Sequence, residues 1–174
     1  MKRGFSLIEL LIVIIIISIV YSLGFDGIEI GKSKPKALTP LNLAQNIRAS
    51  KNFNSQATLL CVEDCGTCYM RSSISSAFVE YDSPIKLKNI EAYMVDSSDN
   101  IQKIDYKRYK DKKICLKMDF YANGSSTQII LKDDKKSYFL PSLFGEPKEF
   151  VELDDAKDYW LKTSMLLSDN GAFY

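Results

Sequence analysis

Four cysteines are the residues of this chain whose spacing most directly suggests a chemistry. Three of them, Cys61, Cys65 and Cys68, form a C-x3-C-x2-C pattern, and Cys115 stands much further along the chain. Three thiolates at such a spacing can hold an iron–sulfur cluster, and four thiolates can hold zinc. In an oxidising compartment four cysteines more often form two disulfides, for which three connectivities exist. The compartment must therefore be inferred from other residues.

The overall composition argues against an enzyme. The chain has no histidine, which removes the commonest general base and metal ligand. No nucleophile stands in a pattern with a base, so we expect no catalytic site, no cofactor, no metal and no small-molecule substrate. Without Lys2, Arg3 and Glu9, the formal net charge of +1 falls to zero over residues 10–174. Nothing in that charge requires a nucleic acid or an acidic surface as partner.

Glu9 is the one charged side chain in an apolar run that extends from Phe5 to Phe25. A helix of this length reaches about 30 Å, the thickness of the hydrocarbon layer of a membrane. The preceding Lys2 and Arg3 favour a cytoplasmic N-terminus with the rest of the chain outside. A carboxylate inside such a span costs about 2.5 kcal/mol or more, which makes Glu9 a candidate functional residue. The alternative is a secretory signal peptide cleaved near residues 22–24.

Residues 2–10, KRGFSLIEL, resemble the class III leader of type IV pilins and type II secretion pseudopilins. The resemblance implies that prepilin peptidase cuts between Gly4 and Phe5 and methylates the new amino terminus of Phe5. In a filament, Glu9 of the same or a neighbouring chain would then pair with that amine, since opposite charges offset each other's desolvation. The alternative is a polar residue that is merely tolerated near the helix end.

The sequence predicts an α+β protein with four parts. These are a leader over 1–4, a transmembrane and filament-assembly helix over 5–25, a linker over 26–38 and a periplasmic globular domain over 39–174. The linker contains two glycines and a proline, which disfavour a long continuous helix there. Thr39 and Pro40 then predict the start of a short second helix that reaches about Asn52. In major pilins the membrane helix usually continues unbroken into the globular domain, so the interruption favours a minor subunit.

The rest of the domain is predicted to be an antiparallel β structure. Alternation over 113–121 places Ile114, Leu116, Met118 and Phe120 on the core side, and Asn123-Gly124 predicts a hairpin. The predicted strands are 58–63, 68–72, 77–82, 90–96, 101–106, 113–121, 128–132, 137–141 and 148–153.

A second resemblance concerns the globular part. Segments 43–49, 120–126, 129–131 and 143–145 are similar to those of H-type minor pseudopilins and FimT-type minor pilins. The resemblance implies a short helix on two small sheets and a role near the filament tip. Any antiparallel sheet with a tight hairpin is the alternative.

A periplasmic domain favours two disulfides over a metal site, although four-thiolate zinc stays open. We expect Cys65 to pair with Cys68 across the Gly66-Thr67 turn, and Cys61 to pair with Cys115 between two strands. Alternation places Cys115 on the sheet face opposite Ile114 and Leu116.

Two further surfaces are candidates for binding. Residues 103–117 carry an excess of five positive charges, and Lys107, Arg108 and Lys110 alternate with Tyr106 and Tyr109, which would suit DNA. FimT-type pilins are associated with DNA uptake through basic residues nearer the C-terminus, whereas 146–158 is acidic here. A solvated lysine-rich loop is therefore the favoured interpretation. An apolar stripe in a helix over 154–167 predicts packing on a sheet or, if exposed, an anchor for a neighbouring subunit at Trp160.

Together these features predict a single-pass inner-membrane precursor that is processed and assembled as a minor pseudopilin or minor pilin. Its expected partners are prepilin peptidase, other pilins or pseudopilins and the inner-membrane assembly platform, in a system for protein secretion or DNA uptake. The alternative is a membrane-tethered periplasmic binding or metal-binding domain unrelated to filaments.

Overall fold

The computed structural model describes residues 7–26, 37–143 and 145–169. The chain divides into two compact units, residues 1–35 and 36–174. The predicted leader, Phe5 and most of the predicted linker lie outside the described residues. Leu38, which lies in the predicted linker, is fully buried in the second unit. Its N–H donates a hydrogen bond to the carbonyl of Pro84, and its carbonyl accepts one from the N–H of Lys86. The globular unit therefore begins earlier than the predicted residue 39.

The first unit contains one helix, α1, over Leu7–Asp26. From Leu7 to Ile17 its apolar side chains are exposed around the whole circumference, by between 49% and 82%. Ser18 Oγ donates a hydrogen bond to the carbonyl oxygen of Ile14, 2.8 Å away, one turn earlier in the same helix. Within the part of the chain that the structure describes, no helix has both the length and the apolar character needed to cross a membrane.

The second unit opens with a short helical segment. A turn of 3-10 helix over Pro40–Asn42 leads into α2 over Leu43–Ala49. The backbone N–H of Thr39 donates to Asn42 Oδ1 at 2.8 Å, which helps fix this start. Ser50 is extended and ends α2, so the helix is shorter than the predicted one.

Ten strands follow in the described part of this unit, and all pair antiparallel in two five-stranded sheets. The structure confirms the α+β fold with two small sheets. Sheet I has the order β3-β2-β1-β7-β6, and sheet II has the order β10-β9-β8-β4-β5. The strands are β1 Gln56–Val62, β2 Thr67–Arg71, β3 Val79–Glu80, β4 Glu91–Val95, β5 Ile101–Lys103, β6 Arg108–Tyr109, β7 Lys112–Tyr121, β8 Ile129–Lys132, β9 Ser137–Leu140 and β10 Lys148–Phe150.

Nine of the ten strands overlap predicted ones, although β3, β5 and β10 are shorter than the predicted 77–82, 101–106 and 148–153. The two-residue strand β6 was not predicted, because it exists only as a hairpin partner of β7. The Asn123-Gly124 turn forms, with Gly124 at a φ of 86°. The chain that leaves it pairs with β7 only between Phe120 and Ser126, and then crosses to sheet II as β8. The turn therefore connects the two sheets rather than a hairpin within one sheet.

The main core joins the inner faces of both sheets with α2. Leu116, Met118 and Phe120 are fully buried in it, as predicted. Ile114 is also buried, but it belongs to a second cluster with Leu60 and Val62. A bulge causes this change of side, because the register passes from Cys61 opposite Leu116 to Val62 opposite Ile114 and leaves Cys115 unpaired in the ladder.

α3 spans Leu153–Asp169 and covers the outer face of sheet II. Ala156 on this helix is fully buried against Ile130 and Phe139. Tyr159 and Trp160 meet the ring of Phe139 edge-on at 5.3 and 5.8 Å between centroids. The predicted stripe is therefore a packing face. The side chain of Leu167, its last member, lies outside the described ones.

Candidate processing and assembly sites

Glu9 lies in the first turn of α1, among exposed apolar side chains. The free N–H groups of a first helical turn carry partial positive charge, which favours a carboxylate there. A helix that is apolar on every side is normally covered by protein or lipid. The N-terminal helix thus combines an apolar surface that needs covering with one acidic group near its start. Gly4 and Phe5, the predicted cleavage and methylation positions, lie outside the described residues.

The four cysteines form two disulfides, Cys61–Cys68 and Cys65–Cys115. The expected pairing of Cys65 with Cys68 and of Cys61 with Cys115 is therefore wrong. Cys61 and Cys68 lie directly opposite each other in the β1–β2 ladder, with their Cα atoms 4.0 Å apart. Strand register, rather than distance along the chain, selects this pair.

The second pair depends on the bulge in β7. Cys65 sits in the loop between β1 and β2 at a φ of 59°, and its N–H donates to the carbonyl of Val62 at 3.1 Å. Cys115 packs against the main core together with Leu116, and not on the opposite face as strict alternation predicted. The Cα atoms of Cys65 and Cys115 are 5.8 Å apart. The extra residue of the bulge is thus the one that joins the loop to β7.

This pairing leaves none of the four cysteines as a thiolate for iron–sulfur or zinc binding. Among the described residues there is no group of three or more His, Cys, Asp or Glu side chains that could hold a metal ion. The two disulfides therefore act here as covalent cross-links within sheet I and to the loop beside it.

The basic segment lies largely on the β6–β7 hairpin of sheet I. The side chains of Lys107, Arg108 and Lys110 are exposed, and the Lys110 ammonium lies 5.4 Å from the centre of the Tyr109 ring. Tyr106 and Tyr109, the two rings proposed to stack on bases, are half-buried against Leu60, Val62 and Ile114. The hairpin therefore presents cations, while much of the surface of its two tyrosines serves to cover sheet I.

Several other lysines of this segment have acidic neighbours. Lys112 Nζ lies 3.2 Å from a Glu63 carboxylate oxygen, and Lys113 Nζ lies 4.0 Å from one of Asp105. Lys103 pairs with Glu91. These contacts reduce the positive charge that the segment offers to a partner, although exposed pairs of this kind contribute little to stability.

A groove of about 880 Å³ runs between β7 of sheet I and strands β4, β5 and β8 of sheet II. Cys115 forms part of its wall, together with six carboxylates and three lysines. A hydrogen bond from Lys103 and a second from Tyr93 lower the pKa of Glu91 in this wall. Sequence reasoning missed the groove because its residues come from separate strands. The acids are Glu63, Asp64, Glu91, Asp105, Asp133 and Asp134.

A half-buried arginine connects two of the segments that resemble those of minor pilins. Arg48 of α2 donates hydrogen bonds to the carbonyls of Gly124 and Ser125, the latter at 3.1 Å. Its guanidinium also lies 6.0 Å from the centre of the Phe120 ring. α2 is thereby attached to the turn through which the chain passes between the sheets.

The family model described as the prokaryotic N-terminal methylation motif matches residues 1–21. No curated protein and no solved structure matches the chain. The motif supports a type IV pilin-like leader of class III, and with it a precursor that prepilin peptidase processes and that is anchored in a membrane at its N-terminus. The match does not extend to the globular unit, for which the resemblance to H-type and FimT-type proteins stays a prediction.

Proposed function

We propose that this chain is a minor pseudopilin or minor pilin, processed by prepilin peptidase and assembled at or near the tip of a secretion or pilus-like filament. The methylation motif at residues 1–21 is the observation that carries this proposal. It covers most of α1, whose described apolar side chains are exposed, and a separate α+β unit follows.

In this proposal the peptidase cuts after Gly4, and Phe5 becomes the methylated first residue. Residues 5–25 hold the subunit in the inner membrane, with Lys2 and Arg3 on the cytoplasmic side before cleavage and the globular unit in the periplasm. The amine of Phe5 then pairs with Glu9 of the same or a neighbouring chain as the subunit enters the filament. Each charge alone would be costly in that water-poor core, so the pair would set the register of assembly.

A minor rather than a bulk subunit is supported by the residues that follow the apolar run. They include Gly27, Gly31 and Pro35, which disfavour a continuous helix. A subunit repeated along the length of a filament would gain rigidity from an unbroken helix, whereas a subunit at the tip has fewer neighbours to align with.

The intact mass and N-terminal sequence of the mature protein test this proposal, in cells with and without prepilin peptidase. We expect a start at N-methylated Phe5 only where the peptidase is present. A Gly4→Asp variant should leave the precursor uncut in both strains, and Glu9→Gln should be cut but fail to enter filaments, because only the pairing charge is lost. A start at Met1 in both strains, or beyond Gly24, would contradict the proposal.

Protein secretion and DNA uptake are distinguished by a binding measurement. The exposed cations Lys107, Arg108 and Lys110 are the proposed DNA contacts. For uptake we expect binding to duplex DNA that weakens steeply with salt and is lost when all three are replaced by alanine. A matched control replaces Lys132, Lys135 and Lys136, which lie on sheet II and the β8–β9 turn. Absence of binding would favour secretion or a structural role at the tip.

A further inference from the structure

Neither disulfide joins two cysteines that are consecutive in the sequence. The first pairs with the third and the second with the fourth, so the two disulfides interleave. From this connectivity we infer that the chain requires a thiol–disulfide isomerase to mature. The inference rests on the proposed function only in that the globular unit must be exported to an oxidising compartment.

Export exposes three cysteines before the fourth. A chain that stays anchored at its N-terminus delivers Cys61, Cys65 and Cys68 to the oxidant while Cys115 is still some 50 residues behind. Three pairings are then available, and only Cys61–Cys68 occurs in the folded protein. The other two both consume Cys65, the residue that Cys115 needs.

Loop length strengthens this bias. The Cys61–Cys68 bond spans a separation of 7 residues and the Cys65–Cys115 bond a separation of 50. If the chance of closure falls as the −3/2 power of loop length, the longer loop is disfavoured about 20-fold relative to the shorter one. The two incorrect pairs, Cys61–Cys65 and Cys65–Cys68, close loops that are shorter still. Both therefore compete with the correct short pair and are expected to form faster than the long one.

An incorrect pair is difficult to repair once the core has closed. Cys61, Cys65 and Cys68 are fully buried in the main core, whereas Cys115 is only partly buried and lines the groove beside β7. A thiol from solvent would have to reach the buried sulfurs before β7 packs over them. An incorrect pair must therefore be corrected while the chain is still partly folded. Partly folded chains are the substrates of isomerases, whereas a small-molecule thiol cannot reach these sulfurs in the native fold.

The exchange consumes no oxidant. In a chain that carries Cys61–Cys65 and Cys68–Cys115, the isomerase thiolate attacks the sulfur of Cys61 and releases Cys65 as a thiolate. Cys65 attacks Cys115 and releases Cys68, and Cys68 then attacks the mixed disulfide at Cys61. Two correct bonds result and the isomerase thiolate is restored, so neither protein is oxidised or reduced overall.

Oxidative refolding of the purified full chain in detergent tests this inference. Reduced protein is oxidised in a buffer of reduced glutathione and glutathione disulfide, with or without a purified disulfide isomerase in its reduced form, and its bonds are mapped by mass spectrometry with fragmentation between Cys65 and Cys68. We expect incorrect pairs to dominate the early products, and the isomerase to raise the rate of correct pairing by about tenfold or more.

Two double variants serve as matched controls. Cys65→Ser with Cys115→Ser, and Cys61→Ser with Cys68→Ser, each leave one correct pair and no alternative, so the isomerase should not change how much of them pairs correctly. Wild-type protein that reaches the correct pairing equally fast without the isomerase would overturn the inference. In cells, wild-type protein with four free thiols would instead count against the proposed exported location, whatever the refolding result.

Discussion

The outer faces of the two sheets of the globular unit are covered by different kinds of structure. Sheet I uses its own side chains: the Tyr109 ring lies 5.5 Å from that of Tyr69 and 5.3 Å from that of Phe78, over buried Leu60 and Val62. Both disulfides also belong to this sheet and the loop beside it. Sheet II is covered by α3 through aromatic contacts to Phe139, without a covalent bond among the described residues.

The difference separates two sources of stability. In the chain-entropy model, a disulfide stabilises a domain mainly by restricting the unfolded chain, and its effect grows with the length of the loop that it closes. A packed helix stabilises only the folded state, through the apolar surface it buries. The end of sheet I near Cys65 should therefore respond to reductant, while the face of sheet II should respond to changes in side-chain volume.

Removal of the long disulfide should have the largest effect. In the chain-entropy model, Cys65→Ser with Cys115→Ser lowers the free energy of unfolding by about 4 kcal/mol, because a loop of some 50 residues is released. The matched variant, Cys61→Ser with Cys68→Ser, opens a much shorter loop and should lose only about 2 kcal/mol. Denaturant unfolding of the full chain in detergent measures both. Equal losses would mean that loop length does not determine how much each disulfide stabilises sheet I.

Loss of a ring from α3 should have the next largest effect. Trp160→Ala removes an aromatic contact to Phe139 and leaves a gap on sheet II, which should cost about 2 kcal/mol for a half-buried ring. Met165→Ala is the control, since Met165 lies on the same helix but is 61% exposed, and its stability should barely change. Hydrogen exchange should locate the loss of protection in α3 and β9. Loss of protection in β1 and β2 instead would contradict the separation of the two sheets.

The sequence was informative where alternation and burial coincide. Leu116, Met118 and Phe120 face the core because a long strand with a clean period of two has one apolar side. The apolar stripe of α3 was recognised as a packing face for a similar reason, since Ala156, Tyr159 and Trp160 recur at helical spacing. Local patterns of this kind are complete within one element.

The disulfide pairing could not be obtained in that way. It depends on which residues of β1 and β2 lie opposite each other and on an extra residue in β7, and neither is visible in the composition of one segment. A bulge moves Cys115 to the core side, whereas strict alternation assigns it to the other face. The passage of the chain from β7 to sheet II also depends on the sheets together, because Asn123-Gly124 is an equally good signal for a simple hairpin.

The smallest expected effect concerns the hydroxyl of a tyrosine on β9 of sheet II, which reaches the turn between β8 and β9. Tyr138 donates a hydrogen bond to Asp133 Oδ2 at 3.0 Å. Burial and this bond raise the pKa of Tyr138 to about 12. Burial alone would raise the pKa of Asp133, but backbone N–H groups of Lys135 and Lys136 and the hydroxyl of Tyr138 hold it below its ordinary value. The pair is therefore most favourable when the tyrosine is neutral and the aspartate is charged.

The pH dependence follows from the direction of each shift. Because the folded pKa of Tyr138 is raised, its contribution is complete below about pH 10, the ordinary tyrosine pKa, and is lost as pH rises towards about 12. Because the folded pKa of Asp133 is lowered, its contribution is complete above about pH 4 and is lost at lower pH. Tyr138→Phe should therefore cost about 1 kcal/mol near pH 7 and progressively less towards both extremes.

Tyr109→Phe on sheet I provides the comparison that sharpens this prediction. That residue contributes its ring to the aromatic cover, so removal of its hydroxyl should change stability near pH 7 by less than Tyr138→Phe does. Unfolding curves between pH 3 and pH 11 measure the difference between each variant and wild type. A constant loss for Tyr138→Phe across that range would show that the hydroxyl acts through packing rather than through its bond to Asp133.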